Sequence, residues 1–210
     1  RRKAQSAVAS AAYYADEALT DHRTGLHHAM PPRDGLLDSE ILFPSEARMA
    51  TPWDRQRLWN AVEAREKRVD SLVALLWIVA LPHELSTADA IALARSFADT
   101  LINRWGCVID LTVRNTGSLN RVGYLLTTTR RFDGDSLGEQ IDFVINAQTR
   151  YNRGIETSQR SDLLAIRAQW AEMVNSALAA AGFSARVDHR SLKDPGFDLI
   201  PQTHLGSTVA

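Results

Sequence analysis

The sequence predicts an α+β domain in which helices pack on a mainly antiparallel sheet. Three observations carry this. Four long segments without internal proline are patterned for helix, residues 109–130 read as two short strands joined by a polar turn, and no internal repeat or low-complexity tract offers another architecture. With 210 residues and 45% hydrophobic content the chain can bury one good core, so a single domain over residues 1–210 is expected.

Residues 6–20, SAVASAAYYADEALT, are alanine-rich and lack Gly and Pro, which favours helix. Spacings of three and four put Tyr14 with Ala7, Ala11 and Ala18 on an apolar stripe, and Tyr13 with Ser6, Ser10, Glu17 and Thr20 on the polar side. Tyr14 is therefore a core candidate and Tyr13 an available one. Residues 21–51, rich in Pro, Gly and Asp, read as a long connection with one short strand, ILF at 41–43. A second helix spans 53–70 with Leu58, Val62 and Val69 inward, and feeds the apolar run SLVALLWIVAL at 71–81, a buried strand closed by Pro82. The next helix starts at Ser86 or Thr87, where S-x-x-D offers a weak capping box, and ends at Trp105 before Gly106. Ile91, Ala94, Phe97, Ala98 and Leu101 form its inner stripe. Ile109, Leu111 and Val113 then alternate with Asp110, Thr112 and Arg114 at the period of a half-buried strand, and a return strand follows at 122–129. After a polar stretch at 130–160, a long helix runs from Ser161 with Trp170, Val174, Ala177 and Leu178 on one face. It stops at Gly182, and the tail is irregular.

A formal net charge of -1 means that no global field announces a nucleic-acid or membrane partner, so any basic surface must be local. The single cysteine, Cys107, lies in an apolar run and cannot form an internal disulfide, which fits a small core residue in a reducing compartment. The longest apolar run, 71–81, is about half the length that crosses a bilayer, so no membrane insertion is expected.

Four stretches in this order are more specific. They are SAVASAAYYA near the start, ALPHEL at 80–85, the strand pair ending in TTTR at 127–130, and WAEMVNSALAAAGFSARVDHRSL at 170–192 with HLG at 204–206. Together they resemble the MobA/MobL family of plasmid-mobilisation relaxases over nearly the whole chain. The resemblance implies a palm-like, five-stranded antiparallel sheet flanked by helices, the HUH endonuclease fold, in a bacterial cytoplasmic protein. It also implies a tyrosine that attacks a phosphodiester of single-stranded origin-of-transfer DNA to form a 5′-phosphotyrosine. A divalent metal, Mg or Mn, held by three histidines polarises that phosphate. The family's A-x-x-Y context falls on Tyr13, with Tyr14 the fallback. A strand of the form Y-H-L-x precedes that helix in the family; the sequence opens at Arg1, past the place for it, so either that strand lies outside this sequence or the protein has lost it.

In the family the strand pair reads I-H, a short turn, then N-x-H-A-H before a strand and an arginine. Here Val113 and Arg114 stand at I-H, Asn120 at N, and Val122, Gly123 and Tyr124 at H-A-H. The three metal-ligand positions are therefore Arg114, Val122 and Tyr124. Ile78 stands where an acidic residue is frequent, two positions before ALP. Valine offers no donor and arginine repels a dication, so no metal cofactor is expected. Nor do the six histidines rebuild the triad: His22, His27 and His28 fall in the first connection, His83 follows a strand, and His189 and His204 belong to motifs elsewhere.

The resemblance with this departure implies a relaxase-fold DNA-binding domain of plasmid mobilisation or conjugative transfer, degenerate in metal-dependent nicking. Two alternatives stay open. One is an active tyrosine strand transferase in which Arg114 supplies the charge in place of the metal. The other is a non-catalytic module that docks onto a relaxosome or a type IV secretion coupling protein. For DNA binding, Arg1, Arg2, Lys3, Arg114, Arg121, Arg130 and Arg131 would form a basic zone if the hairpin adjoins the first helix, with exposed aromatics to stack on unpaired bases.

Overall fold

The computed structural model describes residues 6–190 except 32, 48, 50, 67, 69, 70, 118 and 119. Helix α1 (Ala7–Ala15) is capped by Ser6, whose hydroxyl accepts the Ala9 N–H at 3.4 Å. It stops short of the expected end at residue 20. Asp16 turns into the left-handed region at φ 53 and donates its N–H to the Ala12 carbonyl, a conformation that a short polar side chain tolerates. The chain then forms a small hairpin, β1 (Leu19–Asp21) with β2 (Leu26–His28), turned by the Asp21 carboxylate, which accepts the N–H groups of Arg23 and Thr24. The expected long connection therefore carries structure, including β3 (Leu36–Leu42), of which the sequence showed only the apolar end.

Asp54 caps α2 (Arg55–Arg65) by accepting the Arg57 N–H at 2.6 Å, and the helix ends before the expected residue 70; Val69 lies outside the described residues. Strand β4 (Ala74–Leu81) leads into α3 (Thr87–Trp105), whose Ser86 cap and left-handed Gly106 stop are those expected. Strands β5 (Ile109–Asn115) and β6 (Arg121–Thr128) form the anticipated hairpin. The stretch read only as polar holds a third hairpin, β7 (Arg130–Asp133) with β8 (Ser136–Gln140), and the short α4 (Ala147–Asn152). Helix α5 (Gln159–Ala180) begins two residues before Ser161, at a reciprocal cap made by Ser158 and Ser161.

The main sheet is antiparallel, in the order β3-β5-β6-β4. This is α+β as predicted, with four strands described rather than five. Strand β4 is an edge and not the buried strand expected: Ile78 is 62% exposed. Strand β5, expected to be half-buried, is covered on both faces. Ile109, Leu111 and Val113 pack with β6 Leu125 under α3 and α5, in a core that includes Phe97, Leu101, Trp105, Ile166 and Val174. On the other face lies a second core of α1 and α2, with Ala7, Val8, Ala11, Leu58, Trp59 and Val62 around Leu126. There Asp110 is buried but satisfied. Arg55 Nε and Nη2 donate to its two oxygens at 2.8 and 2.9 Å, and the Trp59 indole donates at 2.8 Å. No helix among the described residues is long and apolar enough to cross a membrane.

Candidate functional site

Cross-strand register decides which side chains meet. Arg114 pairs with Val122, and Tyr124 stands opposite Thr112 on one side and Ile78 on the other. Directly opposed residues share a sheet face, so Arg114, Val122, Tyr124 and Ile78 all look toward the α1 side. The end of α1 comes down on this patch. The Tyr14 ring stacks on Tyr124, with centroids 4.8 Å apart and 29° between planes, and Tyr13 meets Tyr14 edge-on at 5.2 Å. Tyr13 is 46% exposed and Tyr14 half-buried, the division that helical spacing predicted. Burial raises the Tyr14 phenol above its ordinary pKa, and the neighbouring phenols Tyr124 and Tyr13 push the same way. Of the two tyrosines, Tyr13 is therefore the one open to a ligand.

Arg114 is 5% exposed, and its two terminal nitrogens are engaged by the chain around it. Its Nη2 donates to Asp16 Oδ2 at 2.6 Å and to the Tyr14 carbonyl at 3.4 Å, and its Nη1 donates to the carbonyls of Arg33 and Asp34 at 3.1 and 3.2 Å. Only Nε is buried with no partner among the described residues. The guanidinium thus ties strand β5 to the end of α1 and to the loop before β3. Gly35 makes that approach feasible. At φ +88, a Cβ there would lie 2.2 Å from the Asn115 carbonyl oxygen.

Sequence reading missed Arg33. Its guanidinium carbon lies 3.9 Å from the centroid of the Tyr13 ring, its Nη2 donates to the Tyr13 carbonyl, and its Nε donates to Asp16 Oδ1 at 2.9 Å. Asp16 therefore sits between two arginines. Burial opposes its charge, but the hydrogen bonds from Arg114 and Arg33 outweigh this and hold the carboxyl below the ordinary aspartate range.

The other predicted arginines do not form one patch. Arg121 donates to the carbonyls of Leu85 and Ser86 at the start of α3. Arg130, beyond the far end of β6 at the start of β7, pairs with Glu66 and donates to the Gly138 carbonyl, while Arg131 pairs with Asp142. Arg1, Arg2 and Lys3 lie outside the described residues.

The residues at the triad positions do not suit a metal. Arg114 brings a paired cation, Val122 has no donor atom, and the Tyr124 ring is stacked. Among the described residues no three His, Cys, Asp or Glu side chains gather as a metal site. His27 Nδ1 is engaged by the Thr20 hydroxyl at 3.0 Å and His22 Nε2 by Gln56 at 3.3 Å, while His204 is outside the described residues. Cys107 is buried, and burial pushes its thiol up to about 12, so it takes no part as a nucleophile.

The sequence model of the MobA/MobL family matches residues 5–210. The chain belongs to the MobA/MobL family. Among its relatives, the mobilization protein MobL of Acidithiobacillus ferridurans is 31% identical over 231 residues, covering 100% of this chain and 60% of MobL. The conjugal transfer protein TraA of Rhizobium radiobacter is 30% identical over 226 residues, 98% of this chain and 20% of TraA. The chain thus spans less than two thirds of either relative. A solved structure described as "Molecular Basis of Vancomycin Resistance Transfer in Staphylococcus aureus" superposes with a TM-score of 0.74 at 29% identity, over 89% of this chain and 92% of the other. Of the stretches that carried the resemblance, SAVASAAYYA lies on α1 and its cap, ALPHEL on the end of β4 and the loop before α3, the strand pair on β5 and β6, and residues 170–190 of the last on α5 and the chain after it; 191–192 and 204–206 lie outside the described residues.

Proposed function

We propose that this MobA/MobL domain is a relaxase-fold module of plasmid mobilisation or conjugal transfer that binds single-stranded origin-of-transfer DNA in the bacterial cytoplasm and has lost metal-dependent nicking. Family membership and the mobilisation and conjugal transfer names of its relatives support the DNA-processing role. The loss rests on one observation. At the patch beneath the exposed Tyr13, the three ligand positions carry a carboxylate-paired arginine, a valine and a stacked tyrosine. In the family reaction the phenol oxygen bonds to phosphorus, the bond from phosphorus to the 3′ oxygen breaks, and a proton passes from the phenol to that leaving oxygen. Without a dication the charge gathering on the phosphate must be met by fixed protein groups alone, a weaker arrangement.

The test is direct. Purified protein is mixed with an origin-of-transfer oligonucleotide in Mn²⁺ or Mg²⁺ and again in chelator, and covalent adducts are sought beside binding. Binding without adduct is the expected result. A metal-dependent adduct, absent in Tyr13→Phe, would falsify the loss of nicking. A chelator-resistant adduct would instead favour the metal-free transferase. No affinity for single-stranded DNA at low salt would remove the DNA-binding role and leave a docking role on a relaxosome or secretion coupling protein.

A further inference from the structure

We propose that Arg33 and the cavity beside it form a phosphate-binding site adjoining Tyr13, and that Arg33 rather than Arg114 is the cation a DNA backbone meets; this rests on the DNA-binding reading above. A cavity of about 470 Å³ is lined by Arg33, Asp34, Gly35, Arg114, Asn115, Thr116 and Gly117. Two guanidinium groups share one buried carboxylate, Asp16, which leaves one positive charge that only the exposed Asp34 on the cavity wall offsets. The two arginines divide the work by their surroundings. Arg114 is enclosed and its terminal nitrogens face Asp16 and three backbone carbonyls. The Arg33 side chain is 31% exposed, and its Nη1 has no partner among the described residues. Donors that stay free on a guanidinium held by a carboxylate are preorganised for a phosphate oxygen.

Position adds to the argument. The Arg33 guanidinium lies over the face of the Tyr13 ring, so a strand whose phosphate reaches Arg33 passes the one well-exposed tyrosine of the patch. Tyr13 can then stack an unpaired base while Arg33 holds the adjoining phosphate, the usual pairing of contacts in single-strand binding. Asp34, exposed and on the cavity wall, opposes an incoming anion. It supplies a second way to test the site.

Binding of a fluorescein-labelled single-stranded oligonucleotide is measured by anisotropy at several salt concentrations. Four proteins are compared: the wild type, Arg33→Gln, Asp34→Asn and, as a control for net charge, Arg95→Gln. Arg95 is an exposed cation on α3, across the sheet, paired with Asp38 and Glu40. Losing one charge-assisted phosphate contact should weaken Arg33→Gln about tenfold and flatten its salt slope by about 0.7. Asp34→Asn should bind a few-fold more tightly, and it needs no fold-bearing bond to be broken. Equal losses in Arg33→Gln and Arg95→Gln, or unchanged affinity in both Arg33→Gln and Asp34→Asn, overturn the site while leaving DNA binding intact. A wild type that does not bind at all overturns the DNA-binding reading and this site with it.

Discussion

Asp16 is a single residue with three tasks. It ends α1 by its own backbone conformation, it neutralises Arg114, and it orients Arg33 over Tyr13. Its folded-state pKa lies below the ordinary value, so the carboxylate contributes stability at pH values above the unfolded pKa, near 4. That contribution disappears as the pH falls through the lower folded pKa. Urea unfolding followed from pH 7 down to about 3 should therefore show the wild type losing midpoint more steeply below pH 4 than Asp16→Asn, which has no carboxylate to protonate. Parallel curves for the two proteins would mean that the Asp16 contacts carry no net free energy.

At the scale of elements, Asp110 decides how α2 sits on the sheet. Its two oxygens take a bidentate fork from Arg55, which also donates to Ser39 Oγ at 2.9 Å and pairs with Glu17. Removing one partner of a buried pair leaves the other charge enclosed, so Asp110→Asn should cost about 3 kcal/mol in urea unfolding. Elements were legible where local chemistry decides them. Ser86 and Gly106 bound α3 by capping and left-handed turning alone, and both ends were read correctly. The end of α1 was not, because Asp16 gains from arginines 17 and 98 residues away in sequence. Likewise β3 carries Asp38 and Glu40 amid its apolar residues, and these become reasonable only once Arg95 of α3 lies beside them. The exposure of Tyr13 was readable from helical spacing. Arg33 was not, since it sits in a Pro- and Gly-rich connection whose path toward Tyr13 is set by tertiary contacts.

The whole molecule depends on β5 and β6, which face both cores. Ile109, Leu111 and Leu125 point into the α3 and α5 core, while Val108 and Leu126 belong to the α1 and α2 core. Detaching α1 and α2 would strip one face of the central strands, leave Asp110 without its Arg55 and Trp59 partners and take Asp16 and the Tyr14 carbonyl from Arg114, so neither core should persist when the other is lost. Residues 6–190 are therefore proposed to unfold as one cooperative unit. Leu58→Ala in α2 and Phe97→Ala in α3 each remove a fully buried side chain and should cost about 3 kcal/mol. Hydrogen exchange read by mass spectrometry in low urea should then show peptides of α2 and α3 losing protection together in both variants. If Leu58→Ala opened the α1 and α2 peptides while α3 stayed protected, the tyrosine-bearing helix would be a separately melting layer. Tyr13 could then be released from Arg33 without unfolding the sheet beneath it.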